Sequence, residues 1–314
     1  MLVRKSNGRC RGGSYRRYRP EAGLRIFEAA VRKQTFGISI RLAGYNKSRH
    51  GSVYRRVVNI PPKSNCLSNA NTSKFLLKHP WDRYAFPGFV ALIWFVILMG
   101  FIPDVIHKFR KQRFDYPLAV HVHAAVYLSW LVFLTVQTVL IGRGRATLHR
   151  RLGIIGAVLA VLVVLMGLVA TYVVENRMLG TPRADPAFIS TLLVDVLNFA
   201  VLATAALMLR SDAAAHKRLM LLATMSLLQA AFIRWWGAAM FATFGKGFLG
   251  GWMADYLGVS LLVLSLGVYD LMTRRRLLPA YVLGVIWILT WQFIAKWLYV
   301  SPWWKVASLH LLGH

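Results

Sequence analysis

Ionisable side chains are scarce within the long apolar runs of this chain, and the few present are its candidates for chemistry. His121 and His123 stand near the start of one run, and Asp195, Arg234 and Asp255 lie inside three others. Such a group costs at least about 2.5–3.5 kcal/mol to insert into hydrocarbon and normally faces a partner inside the bundle. Asp195 and Arg234 each lie about 20 residues from the polar segment near 214–215, so an antiparallel helical hairpin would hold them level. An Asp–Arg bridge is the expected way to offset two charges at equal depth. Asp255 lies about as far from Arg274–Arg276 and reaches a similar level, with the two histidines closer to the surface.

Helical spacing decides which of these groups can cooperate. His123, Tyr127, Trp130, Leu134 and Gln137 recur at steps of four and three, one stripe on a helix. His121 is two positions from His123 and points elsewhere. Asp195 and Asn198 share a face, and Arg234 follows the small residues Ala223, Ala230 and Ala231. One reading is a polar pocket of His123, Tyr127, Trp130, Gln137, Asp195, Asn198, Arg234 and Asp255 opening to the outer face. The other is a purely structural Asp195–Arg234 bridge with His123 meeting interfacial water.

A second pattern is a repeat. Leu148-His149-Arg150-Arg151-Leu152 and Ala215-His216-Lys217-Arg218-Leu219 each follow a short polar loop and open a long apolar helix, their histidines 67 residues apart. Duplicated hairpins produce such repeats, and matching depth would put both histidines on one face of the membrane. Two roles are open for His149 and His216. They are cofactor ligands, or they belong to basic clusters that meet anionic lipid headgroups.

The segment from His121-Val122-His123 through Trp130, Gln137 and Leu148-His149-Arg150-Arg151-Leu152-Gly153 resembles an uncharacterised group of bacterial multipass membrane proteins. His216-Lys217-Arg218-Leu219-Met220-Leu221-Leu222 is similar to that group's second signature. The resemblance covers about 115–240 and implies a bacterial inner-membrane protein without an assigned activity. A looser resemblance is to transmembrane b-type cytochromes, whose helices hold haem between histidines. It implies haem b, with ligands among His121, His123, His149 and His216. The inner histidines depart from that pattern, standing at helix entrances beside arginine.

The elements that must position these groups are transmembrane helices. The chain of 314 residues is 57% hydrophobic, with mean hydropathy +0.49, yet carries a formal net charge of +28. Residues 1–85 hold 19 Lys/Arg against 3 acids, and the rest hold 20 against 8. That division predicts an all-α membrane bundle over 81–314 behind a disordered basic tail over 1–80, and excludes a soluble enzyme. Seven spans are predicted, at about 86–106, 119–141, 152–174, 187–209, 219–241, 251–271 and 279–299, each near the 20 residues that cross a bilayer. Basic residues near the spans number thirteen on one side against nine on the other, which places the N-terminus in the cytoplasm. Trp297, Trp303 and Trp304 read as an interfacial aromatic belt.

The tail holds both cysteines, Cys10 and Cys66, so no Cys-ligated metal or cluster is expected in the bundle. Arginines and tyrosines at 15–19 could attract phosphate, but a tail lying near anionic lipid is the plainer reading, and no nucleic-acid partner is expected. No Met falls between Met1 and Met99, so translation from a start close to the first helix is an equal alternative. No nucleotide loop, HExxH or serine elbow appears in the membrane part. Three function classes follow. They are an electron-transfer component holding haem b or a quinone, a small-solute or proton-coupled transporter using Asp195, Arg234 and Asp255, and a non-catalytic membrane partner.

Overall fold

The computed structural model describes residues 79–111, 116–182 and 184–314. The basic tail, with Cys10 and Cys66, lies outside the described residues. Among those residues the chain forms α-helices and one 3-10 turn, with no strand. In chain order the helices are α1 (Asp82–Arg110), α2 (Leu118–Gly142), α3 (Ala146–Met178), α4 (Ile189–Met208), α5 (Ala213–Ser226), α6 (Gln229–Phe244), α7 (Phe248–Arg274), α8 (Pro279–Val300) and α9 (Pro302–Leu311). The 3-10 turn Pro186–Phe188 leads directly into α4.

Six helical stretches are long and apolar enough to cross a membrane, and α5 with α6 makes a seventh, broken span. The protein is therefore a multi-pass helical membrane protein. The predicted spans are recovered, with one difference. The fifth was read as a continuous helix from 219, whereas the structure starts it at Ala213 and bends it by 48° between Ser226 and Gln229. Three i→i+3 bonds carry the chain through the bend: Leu227 N–H to Thr224 O, Leu228 N–H to Met225 O, and Ala231 N–H to Leu228 O. They replace the regular ladder with a tighter 3-10 turn, which changes which residues share a face beyond it.

Helix starts follow from local chemistry. The Asp212 carboxylate caps α5 by accepting from the N–H groups of Ala214 (2.8 Å) and Ala215 (3.2 Å), which supports a helix whose first turns carry His216, Lys217 and Arg218. Pro279 and Pro302 open α8 and α9, where a missing N–H costs nothing. Gly245 at φ +75° ends α6 and allows the short return into α7.

α4 and α7 form the centre, with half of their apolar windows buried against 22% for α1, α2 and α3. The exposed Leu, Ile, Val and Phe of α1 and α3 form the surface that lipid would cover. α9 follows the last span, and the sequence reading did not separate it. Trp303 is exposed at its start, while the Trp304 indole donates to Ala187 O at 3.1 Å and fixes α9 to the turn before α4.

α1 and α6 approach most closely at Gly100, where a Cβ would lie on the backbone of Ala231, 2.6 Å from its Cα. Neither backbone can move aside without separating the helices. Gly100→Ala should therefore destabilise the protein by about 1–3 kcal/mol. Gly88→Ala, on the same helix with nothing within 4 Å, should be neutral or slightly stabilising. Thermal unfolding of the two variants in detergent checks the contrast.

Candidate functional site

For description, the face of the bundle on which α1 begins is called the near face and the other the far face. Near the near face, the two repeated histidines meet. The His149 and His216 rings stand 6.2 Å apart, edge to face at 82°. His216 Nδ1 lies 2.8 Å from Ala206 O, which fixes the ring and turns Nε2 away from that carbonyl.

The basic residues beside these histidines have different fates. Arg150 and Arg151 are exposed. Lys217 and Arg218 turn inward and meet carboxylates. Arg218 makes two bonds of 2.5 Å to Asp270, both side chains fully buried. Arg274 reaches Asp270 at 3.2 Å and both oxygens of Asp82 at 2.7 Å. Lys217 at 2.8 Å and the Tyr269 hydroxyl at 2.5 Å complete the shell of Asp82. The expectation that the second basic cluster faces lipid headgroups is corrected for these two side chains. The network ties α1, α5 and α7 together at the near face.

At the far face the structure rearranges the predicted pocket. Asp195 and Arg234 do not pair. Arg234 is exposed, its guanidinium 3.9 Å from Asp104 and 4.9 Å from the Phe101 ring centroid, and it donates to Ala230 O at 2.6 Å. The depth count assumes a continuous fifth helix. The bend after Ser226 resets the helical phase and turns Arg234 toward α1. Asp195 is buried, without a cationic partner among the described residues. It stands within electrostatic reach of Tyr127 and Asp255.

Asp255 has the partner that Asp195 lacks. Lys296 Nζ lies 2.5 Å from Asp255 Oδ2, with both side chains 1–2% exposed, and Gln229 Nε2 donates to Asp255 Oδ1 at 2.9 Å. Lys296 is one of the nine basic residues counted on the far side of the spans, and the structure buries it rather than leaving it at the surface. The signal was present in the sequence: counted from the Arg274–Arg276 loop, Asp255 and Lys296 both lie about 20 residues away. Gln229 stands at the first position of α6, where the bend delivers it to Asp255.

The remaining predicted residues separate. His123 packs on Tyr127 with ring centroids 4.0 Å apart and directs Nδ1 to Met166 O at 3.2 Å. His121 faces away, its Nδ1 3.2 Å from Pro117 O, as the helical spacing requires. The Trp130 indole donates to Thr224 Oγ1 at 3.2 Å and packs edge-on against Phe199. Gln137 and Asn198 are buried, and the Gln137 amide has no protein partner among the described residues.

Beside the Asp255–Lys296 pair is a cavity of about 280 Å³. Asp185, Lys246, Asp255, Lys296 and Tyr299 give it polar walls, and Phe188, Ile233 and Phe241 an apolar one. The Tyr299 hydroxyl donates to Asp185 at 2.6 Å, and Lys296 Nζ lies 4.2 Å from the centroid of the Tyr299 ring. A chain of polar groups thus runs from Asp185 through Tyr299, Lys296 and Asp255 to Gln229. No group of three or more His, Cys, Asp or Glu able to hold a metal converges among the described residues.

Two outcomes test these pairings. Asp270→Asn should cost about 3–5 kcal/mol, because it leaves Arg218 buried without its counter-charge, while Arg218→Met with Asp270→Leu should cost less. Asp195→Asn and Arg234→Gln should be additive within about 0.5 kcal/mol, since they share no partner. Unfolding free energies from a double-mutant cycle read both. Comparison of the chain with family models, with curated proteins and with solved structures found no match in any of the three.

Proposed function

We propose that the protein is a proton-coupled carrier of a small solute in the bacterial inner membrane, with its N-terminal side in the cytoplasm and its solute cavity facing outward. The observation that carries this reading is the Asp255–Lys296 pair, buried in the bundle where the fifth span breaks and opening onto a cavity. Broken spans and ionisable groups within the membrane recur at the binding sites of carriers, because irregular backbone and buried charge are tolerated where they line a cavity. Lys296 is the ammonium that pairs with Asp255, and Asp195, buried within electrostatic reach of Asp255, has no cationic partner among the described residues. One negative charge is left for a proton to balance, so Asp195 is the coupling group.

In this conformation the near face is closed by the Asp82–Arg274–Asp270–Arg218 network. Between the two faces α7 presents Val259, Val263 and Leu266, all fully buried. On this reading the site is open to the far face, and the network with the buried residues of α7 seals it from the near face.

Proteoliposomes loaded with a pH-sensitive dye test the reading against a panel of amino acids, sugars and carboxylates. One class of solute should drive proton entry. Asp195→Asn should leave solute binding intact while removing the dependence on the proton gradient. If no solute in the panel moves protons in the wild-type protein, coupled carriage is wrong.

The paired histidines carry a second reading, a haem b held between His149 and His216. Its support is the 6.2 Å approach of the rings and the Ala206 carbonyl that holds His216 Nδ1, leaving Nε2 for a metal. Bound haem would supply one-electron chemistry, and the two imidazoles would hold it. A reduced b-type absorption band, lost in His216→Ala, is the expected result. A featureless spectrum from protein expressed with haem supply would remove the reading.

A further inference from the structure

We propose that the cavity beside Asp255 and Lys296 binds a small zwitterion, of the chemical class of neutral α-amino acids. The proposal rests on the solute-site reading above and names what that site takes.

The charges of the walls carry it. Two carboxylates, Asp185 and Asp255, face the cavity together with two ammonium groups, Lys246 and Lys296. Asp185 and Lys246 are exposed at the rim, but Asp255 and Lys296 are buried, and a ligand of net charge would leave an unbalanced charge beside that pair, where Coulomb energies are several times those in water. A zwitterion adds none. It exchanges one ion pair within the protein for two with the ligand, its ammonium taking the carboxylates and its carboxylate the lysines. Lys246 is exposed and has no carboxylate partner among the described residues, so it is free to receive one. Phe188, Ile233 and Phe241 then form the wall for an apolar side chain. The cavity, at about 280 Å³, is just below the range of drug-sized sites and suits a molecule the size of an amino acid.

The local sequence makes room for this arrangement. A Cβ at Gly251 would lie 3.1 Å from both Cε and Nζ of Lys296, closer than side chains normally pack. Glycine there lets the lysine lie against the first turn of α7. That turn begins at Gly247 without a side-chain cap, so its N–H groups add to the field that favours a carboxylate at the rim.

The test is thermal stabilisation and isothermal titration of the full-length protein in detergent. The probes are glycine, L-leucine and L-phenylalanine, with 4-methylpentanoate and isoamylamine as analogues of leucine that keep one charge each. At least one amino acid should bind saturably, and leucine should bind about tenfold or more tighter than either analogue. An analogue binding as tightly as leucine, or none of the amino acids binding, overturns the proposal. The paired variant Asp255→Asn with Lys296→Gln removes both charges and should abolish binding. If that variant fails to fold, Lys246→Gln at the exposed rim decides: it should weaken leucine binding severalfold without changing the unliganded melting temperature. Unchanged affinity in Lys246→Gln overturns the role given to that lysine and with it the proposal. Leucine binding without uptake into proteoliposomes supports the zwitterion site and removes carriage. Coupled uptake of a sugar or an anion without amino-acid binding does the reverse.

Discussion

A charge buried between helices must meet its opposite there, and in this bundle that requirement converges on α7. Asp255 and Asp270 lie fifteen residues apart on that helix, about 22 Å along its axis. Each is buried, and each is joined to a basic residue of another helix, Lys296 on α8 and Arg218 on α5. Between them Val259, Val263 and Leu266 are fully buried, while Leu261, Leu264 and Val268 face outward. α7 therefore fixes two neighbours at two depths. The near-face pair is reinforced by Arg274, Asp82, Lys217 and Tyr269, whereas the far-face pair has Gln229 as its one additional hydrogen-bond partner among the described residues and stands beside a cavity. The same physical requirement produces a locked end and a receptive end.

The broken fifth span connects the two. Its first half carries Lys217 and Arg218 into the near-face network, and its second half begins with Gln229 at the far-face pair. The bend lets one span reach both ends, and beyond it Arg234 turns toward Asp104. The 3-10 bonds through Leu227 and Leu228 keep the backbone paired across the bend, so the break does not leave a row of polar groups open to hydrocarbon.

The apolar helices, the placing of His149 and His216 toward one face and the divergence of His121 from His123 are legible because each depends on local periodicity or on depth, whereas the approach of the two rings to 6.2 Å is not. The Asp195–Arg234 pairing was read wrongly because depth gives level and not azimuth, and azimuth was lost at a bend that no Pro or Gly announces. Lys296 was missed for a different reason. A lysine four residues from a helix end looks like a snorkelling surface charge, and only its level with Asp255 across the α7–α8 hairpin distinguishes it. The buried Arg218–Asp270 pair was hidden in the same way, because the run His216-Lys217-Arg218 looks like the His149-Arg150-Arg151 run, whose two arginines are exposed. The cavity depended on Asp185 and Tyr299, which come from a loop and a helix end with no spacing rule to join them.

The most direct test of the central claim, that water reaches the buried pair from one face only, is site-directed labelling in intact membranes. Cys10 and Cys66 are replaced by serine, and single cysteines are placed at Phe241, in the cavity wall, and at Val263, in the sealed middle of α7. A membrane-impermeant maleimide should modify Phe241→Cys from the far face alone and leave Val263→Cys unmodified until the protein is denatured. Equal labelling of both positions, or protection of Phe241→Cys in folded protein, would contradict the account.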